Sequence, residues 1–161
     1  MSRKSNDKPN GPRRQALIAA VGNATQAFQR ASDAFDDVVA DRLGLNRTDL
    51  RCLDWLFDGP KTAGHLATAT GLSSAATTTL LDRLERRGLV RRVRDAVDRR
   101  KVLVEMTEDG RQQTDTFYAP LAQAGARMLE RFTDDQLAAM RDQLVAGTEL
   151  IDRHRARLRA D

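Results

Sequence analysis

The chain has 161 residues, 40% apolar and 31% charged, with four prolines, one cysteine and a net charge of +4. That length suits one domain with its own core, and the composition suits a mostly helical globule rather than a disordered chain. One cysteine excludes an internal disulfide framework. No apolar run approaches the about 18 residues of a membrane span, and no signal-peptide core is visible, so no membrane partner and a cytoplasmic location are expected.

The charge is unevenly placed. Residues 91–101, "RRVRDAVDRRK", carry net +4, residues 1–14 net +4 and residues 153–161 net +3, which leaves −7 for the rest. An acidic body with three basic patches points to a polyanionic partner. For the two terminal patches, a solvated tail that only aids solubility is the competing reading.

Residues 1–14 lack apolar periodicity, and a disordered basic arm is expected there. A helix is expected over 15–43. Its residues Val21, Phe28 and Phe35 fall seven apart, with Ala24, Ala31 and Val38 between them. This narrow seam calls for another helix to cover it, from this chain or a second one. Gly44 ends the helix, and Asn46 caps the next, which runs to Phe57 before Asp58-Gly59-Pro60. Thr62 caps a short helix, 63–69, closed by Gly71. Ser73 caps another that runs to Arg87 and is closed by Gly88. Two short helices joined by a tight glycine turn form a helix-turn-helix.

Two short β-branched runs, 89–93 and 102–106, predict a β-hairpin with residues 94–99 at its tip. Thr107 caps a helix running to about Arg131, with Glu108 and Asp109 in its first turn. Thr133 and Gln136 form a capping box that opens a last helix. There Leu137, Leu144, Ile151 and Leu158 repeat every seven residues, with Met140 and His154 on the same face. That is a second seam.

The helix over 73–87 turns Thr77, Leu80, Leu81 and Leu84 to the core and leaves Ser73, Ser74, Thr78, Thr79 and Arg83 elsewhere. Short hydroxyl side chains let a helix approach a DNA groove and bond base edges or phosphates, and the helix N-terminus favours an anion. A hairpin beside such a helix can carry an arginine into a minor groove while its flanking arginines meet phosphates. Asp98 lies two residues before Arg100, on the same side of an extended strand, and can orient its guanidinium. A solvated charged turn is the bland alternative.

The stretch "GLSSAATTTLLDRLERRGLVRRVRDAVDRRKVLVEMTEDG" resembles the winged-helix core of the MarR (multiple antibiotic resistance regulator) transcriptional regulators. The match lies in Gly71-Leu72-Ser73, Asp82-Arg83-Leu84-Glu85, Gly88-Leu89-Val90, Asp98-Arg99-Arg100, and Thr107 with Gly110. It extends over 15–157 in element order and 45–110 in motif. The resemblance implies a mainly α fold: a winged helix-turn-helix over 46–106 with dimerisation helices over 15–43 and 107–161, all one domain over 15–161. It also implies a homodimer on near-palindromic double-stranded DNA, Arg100 at the wing tip and Asp98 as its support. Threonine at 79, often arginine in the family, and alanine at 96, often proline, mean that base preference does not carry over.

The resemblance further implies a cleft that takes a small aromatic or phenolic effector, with Trp55 lining it and Phe28 or Phe35 near. Packing of Trp55 against the first helix is the alternative. Some relatives sense peroxide through cysteine, but Cys52 sits among Leu53 and Leu56 with no resolving partner, and a packing role is expected. His65 and His154 accompany no metal-ligand pattern, and no nucleophile–base set or phosphate loop is visible. No metal, no cofactor and no catalysis are therefore expected.

The expected function is sequence-specific transcriptional regulation by a homodimeric repressor. The expected DNA contacts are Ser73, Ser74, Thr78, Thr79, Arg83, Arg92, Arg94, Asp98, Arg99 and Arg100. An activator or a ligand-independent DNA-binding protein is the runner-up, and a helical protein–protein adaptor is the rival from another class.

Overall fold

The computed structural model describes residues 11–160. Among these, the order is α1 (Pro12–Leu43), α2 (Arg47–Phe57), β1 (Lys61–Thr62), α3 (Ala63–Thr70), α4 (Ser74–Arg86), β2 (Val90–Arg94), β3 (Val102–Met106), α5 (Glu108–Leu129) and α6 (Asp134–Ala160). The first ten residues of the expected disordered arm lie outside the described part. The arm's last residues do not stay irregular: Pro12 opens α1, so Arg13 and Arg14 are helical. Proline at the first helical position loses no bond, because that N–H has no intrahelical partner.

The chain falls into two compact units, divided between Gln113 and Thr114, inside α5. The first is built by its caps. Gly44 sits at φ 61° and ends α1, and Leu45 N–H reaches back to Ala40 O at 2.8 Å. That left-handed stop costs glycine little. Asn46 and Asp49 close a reciprocal capping box on α2: the Asn46 side chain accepts Asp49 N–H at 2.8 Å, and Asp49 Oδ2 accepts Asn46 N–H at 3.4 Å. Thr62 and Ser73 cap α3 and α4 through the N–H groups of His65 and Ala76.

The core of this unit joins the end of α1 (Val39, Ala40, Leu43) to Leu53 and Leu56 of α2, Leu66 of α3, Leu80, Leu81 and Leu84 of α4, and Leu89, Val90, Val104 and Met106 around the sheet. Cys52 is fully buried among them. The sheet is antiparallel, in the order β1-β3-β2. β2 and β3 pair from Val90↔Met106 to Arg94↔Val102, and β1 adds Lys61↔Val104 and Thr62↔Leu103. This third strand was not expected. Two residues carry no periodicity, and only the pairing with β3 defines it.

The hairpin is pinned at its root. Thr107 N–H donates to Leu89 O at 3.0 Å, and Thr107 Oγ1 donates to Gly88 O at 2.6 Å while accepting Gly110 N–H at 2.9 Å. Thr107 therefore starts α5 and closes the hairpin together.

In the second unit, Thr133 and Gln136 make the expected reciprocal cap on α6: Thr133 N–H donates to Gln136 Oε1 at 2.9 Å, and Gln136 N–H donates to Thr133 Oγ1 at 3.3 Å. Each heptad seam carries exposed apolar residues, while Phe35 and Leu137 are half-buried. Phe28 on α1 is 72% exposed, and on α6 Leu144 and Leu158 are 69% and 79% exposed. No helix among the described residues is long and apolar enough to cross a membrane.

Candidate nucleic-acid interface

Two elements of the first unit carry the expected site residues. The first is α4. Thr77 is buried, and its hydroxyl donates to Ser73 O at 2.9 Å. Ser73, Ser74, Thr78 and Thr79 are exposed. The hydroxyls of Thr78 and Thr79 donate to the carbonyls of Ser74 and Ala75, each at 3.1 Å. Their protons are engaged within the helix, so toward solvent they offer acceptor lone pairs and methyl groups. Ser74 Oγ has no partner among the described residues. This face can accept from a base amino group or pack against a thymine methyl.

Arg83 stands apart from that face. Its Nε donates to Asp49 Oδ2 at 3.1 Å, and its Nη2 bonds Asp49 Oδ1. Asp49 is 2% exposed, so the guanidinium is held inward by a buried carboxylate. Arg83, expected as a DNA contact, makes an ion pair with Asp49 in this structure, and its side chain stays 38% exposed.

The second element is the wing. Arg91 pairs across the sheet with Glu105, its register partner, at 2.6 Å. Arg92, expected to meet phosphate, instead joins the wing to α4. Its guanidinium pairs with Asp82 at 2.6 Å and with Glu85, and its own N–H donates to Glu85 Oε1 at 3.2 Å. Two carboxylates already engage this cation, so a phosphate at Arg92 would have to compete with them.

Beyond Arg94 the strands separate into a turn with two built-in supports. Asp95 Oδ1 accepts the N–H groups of Val97 at 2.7 Å and Asp98 at 3.1 Å. Those two bonds hold the Asp95 carboxyl below its ordinary pKa. Asp98 Oδ1 accepts Arg100 N–H at 3.2 Å and Arg100 Nε at 3.1 Å. The expected support of Arg100 by Asp98 is present, but its geometry differs. Residues 98–100 form a turn, not an extended strand, and the aspartate reaches backbone and side chain together. Arg100 remains 91% exposed. Arg94 and Arg99 are exposed and have no side-chain partner among the described residues.

Sequence reasoning missed Asp95, Asp49 and Arg87. Asp95 had a local signal, an aspartate two residues before a turn N–H. Arg87, expected as the last residue of a helix, donates both terminal nitrogens to the carbonyls of Leu43 and Gly44 at the end of α1.

Trp55, Phe28 and Phe35 are the residues expected around an effector. Trp55 is half-buried and meets the His65 ring edge-on, with centroids 5.7 Å apart. That ring contact joins α2 to α3. Phe28 makes no ring contact among the described residues, and Phe35 is half-buried. Burial pushes the Cys52 thiol up to about 12, with Asp49 adding to the shift. That is the protonated, packed thiol expected.

A helix-turn-helix flanked by a basic β-hairpin, with hydroxyls on its second helix and cations at the hairpin tip, defines a winged helix-turn-helix protein that binds DNA. The MarR family model matches residues 43–101. The HTH-type transcriptional regulator YcgE of Bacillus subtilis is 34% identical over 122 residues, 75% of each chain. Among solved structures, a MarR family protein from Bacillus stearothermophilus has a TM-score of 0.63 at 23% identity, covering 86% of this chain and 97% of its own. A mutant of MepR from S. aureus, solved bound to an oligodeoxyribonucleotide, has a TM-score of 0.51 at 19% identity, covering 80% and 97%. The chain belongs to the MarR family of transcriptional regulators, which are not enzymes.

Proposed function

We propose that this protein is a homodimeric repressor that binds a near-palindromic operator, with α4 in the major groove and the wing tip in the flanking minor groove. The observation that carries the reading is the tip itself. Two aspartates fix the turn that presents Arg100, while the guanidinium stays almost wholly exposed. A cation held in place but left in solvent is prepared for an external anion at little further entropic cost. The exposed apolar residues of the α1 and α6 seams, Phe28, Leu144, Ile151 and Leu158 among them, support the dimer, since contiguous exposed apolar residues mark partner surfaces. MepR bound to an oligodeoxyribonucleotide supports the polyanion.

The test is a salt-titrated binding series on one selected duplex and one random duplex. Arg100→Ala should weaken the selected duplex by about 1–3 kcal/mol per half-site, and Arg100→Lys should fail in large part because it lacks the planar fork. Asp98→Ala should give a smaller loss in the same direction. Arg94→Ala and Arg99→Ala, as phosphate-binding cations, should weaken both duplexes alike and flatten the salt slope by about one for each cation removed. If Arg100→Ala behaves as Arg94→Ala does on both duplexes, the wing is only an electrostatic clamp. Deleting the gene should raise transcription from its own promoter; a fall would make the protein an activator.

Release by a small aromatic or phenolic effector belongs to the same reading. Trp55, the chain's one tryptophan, reports on it. Titration with phenol or benzoate should quench its fluorescence and weaken operator binding together. Binding unaffected by either compound would make the repressor independent of such ligands.

A further inference from the structure

Arg83 and Arg87 lie one turn apart at the end of α4, and both reach to the elbow between α1 and α2. Arg83 grips Asp49, the third residue of α2, through two bonds. Arg87 grips the carbonyls of Leu43 and Gly44, at the end of α1. Those carbonyls are the negative end of a long helix dipole, a favourable seat for a cation. Asp49 is buried, and the same carboxylate that holds Arg83 also closes the cap of α2 by accepting Asn46 N–H. Removing Arg83 would leave that buried charge without its counter-ion.

Two grips one turn apart do what a single grip does not. One contact acts as a pivot, whereas two fix both the distance of α4 from the elbow and its rotation about its own axis. The side chains that depend on this rotation are Ser74, Thr78 and Thr79, on the exposed face. A helix that must seat hydroxyls against base edges tolerates little rotation, because hydrogen bonds weaken steeply off axis. We infer that Arg83 and Arg87 are positioning residues for DNA recognition: anchored on Asp49, Leu43 and Gly44, they set the rotation of α4 and touch no phosphate. This rests on the proposed reading of α4 as the groove-reading helix.

The experiment uses the full-length protein and a duplex that the wild type enriches from a random pool, with a random duplex as reference. Arg83→Lys, Arg83→Met, Arg87→Lys and Asp49→Asn are compared by affinity for both duplexes, salt slope and melting temperature. Arg83→Lys and Arg83→Met should each lose about tenfold on the enriched duplex, because lysine keeps the charge but not the two-bond fork. Affinity for the random duplex should stay within about twofold, and the salt slope should not move, because every phosphate-binding cation is still in place. Arg87 is exposed, so Arg87→Lys keeps the test open where Asp49→Asn fails to fold. If Arg83→Lys binds as the wild type does while Arg83→Met weakens both duplexes and flattens the salt slope, Arg83 binds phosphate and the inference is overturned. A lowered melting temperature with an unchanged ratio of the two affinities also overturns it, since the grips are then only structural. Ser74→Ala and Thr78→Ala test the α4 reading separately. If they leave base preference unaltered, that reading fails; if they alter it and the arginine variants do not, the positioning role alone fails.

Discussion

Gly110→Ala is the substitution whose cost the structure specifies most directly. A Cβ at this position would lie 2.3 Å from Leu89 O. Carbon and oxygen approach no closer than about 3.3 Å without strain, so the first turn of α5 must move about 1 Å from the wing root. The opposing atom is backbone and cannot rotate away. The same movement pulls Thr107 from its bonds to Leu89 O and Gly88 O. Two hydrogen bonds at about 1 kcal/mol each, with some overpacking strain, give about 2–3 kcal/mol. For a chain of this size that lowers the melting temperature by about 4–12 °C. Gly64→Ala is the control: nothing lies within 4 Å of its Cβ, and α3 should gain slightly from the better helix former. Thermal unfolding at matched protein concentration reads both, because melting of a dimer depends on concentration. Equal melting temperatures for Gly110→Ala and wild type would refute the reasoning, and with it the view that the wing is held at its root by close backbone approach.

The remaining expectations address the other surfaces. Leu144→Asp or Ile151→Asp should abolish the dimer and operator binding together, since a buried charge costs on the order of several kcal/mol; a folded wild-type monomer at micromolar concentration by ultracentrifugation would contradict this. Cys52→Ser should leave any peroxide response of DNA binding unchanged, and release of wild type but not the variant by peroxide would show a redox sensor. The Cys52 thiol, pushed up to about 12 by burial, contributes fully below the ordinary thiol range, and that contribution is lost as pH rises toward its folded value. Stability of the wild type should fall across that alkaline window by at most about 1.4 kcal/mol per pH unit from this group, and Cys52→Ser should remove that component. The Asp95 carboxyl is held below its ordinary value by two N–H bonds, so the turn should loosen as pH falls through that lowered value. Amide exchange at Val97 and Asp98 reads it; rates in Asp95→Ala equal to wild type would show that the carboxylate does not hold the tip.

What the sequence made legible was the chemistry that acts within one turn. Asn46, Thr62, Ser73, Thr107 and Thr133 each accept an N–H three residues on, and each marks a helix start within one residue of its expected place. The heptad seams were legible for the same reason, because seven residues is a local period. Long-range pairing was not. Arg83 reads as one more polar residue on a helix until Asp49, 34 positions earlier, is brought against it. Arg92 alternates outward on its strand and has the pattern of a phosphate contact, yet two α4 carboxylates claim it. Trp55 was expected to line a cleft or to pack on the first helix, and nothing in the α2 pattern could say that its ring meets His65 on α3. Such partners are chosen by the packing of whole elements, which no local period encodes.

The basic hairpin is therefore graded along its length. At its root Arg91 and Arg92 are bound to Glu105, Asp82 and Glu85, and their charge fixes the wing to its own sheet and to α4. At the tip Arg94 and Arg99 are exposed without a side-chain partner among the described residues, and Arg100 is tied to Asp98 but still open to solvent. A phosphate approaching the tip displaces little but water and counterions, so binding there draws on counterion release. The same phosphate at Arg92 would have to compete with two carboxylates. On the proposed reading this gradient separates two jobs that net charge alone would confuse. Paired arginines decide where the wing stands, and the cations at its tip decide what it meets. Neutralising one pair's acid, as in Glu105→Gln, should then leave the salt slope intact while loosening the strand that carries the tip.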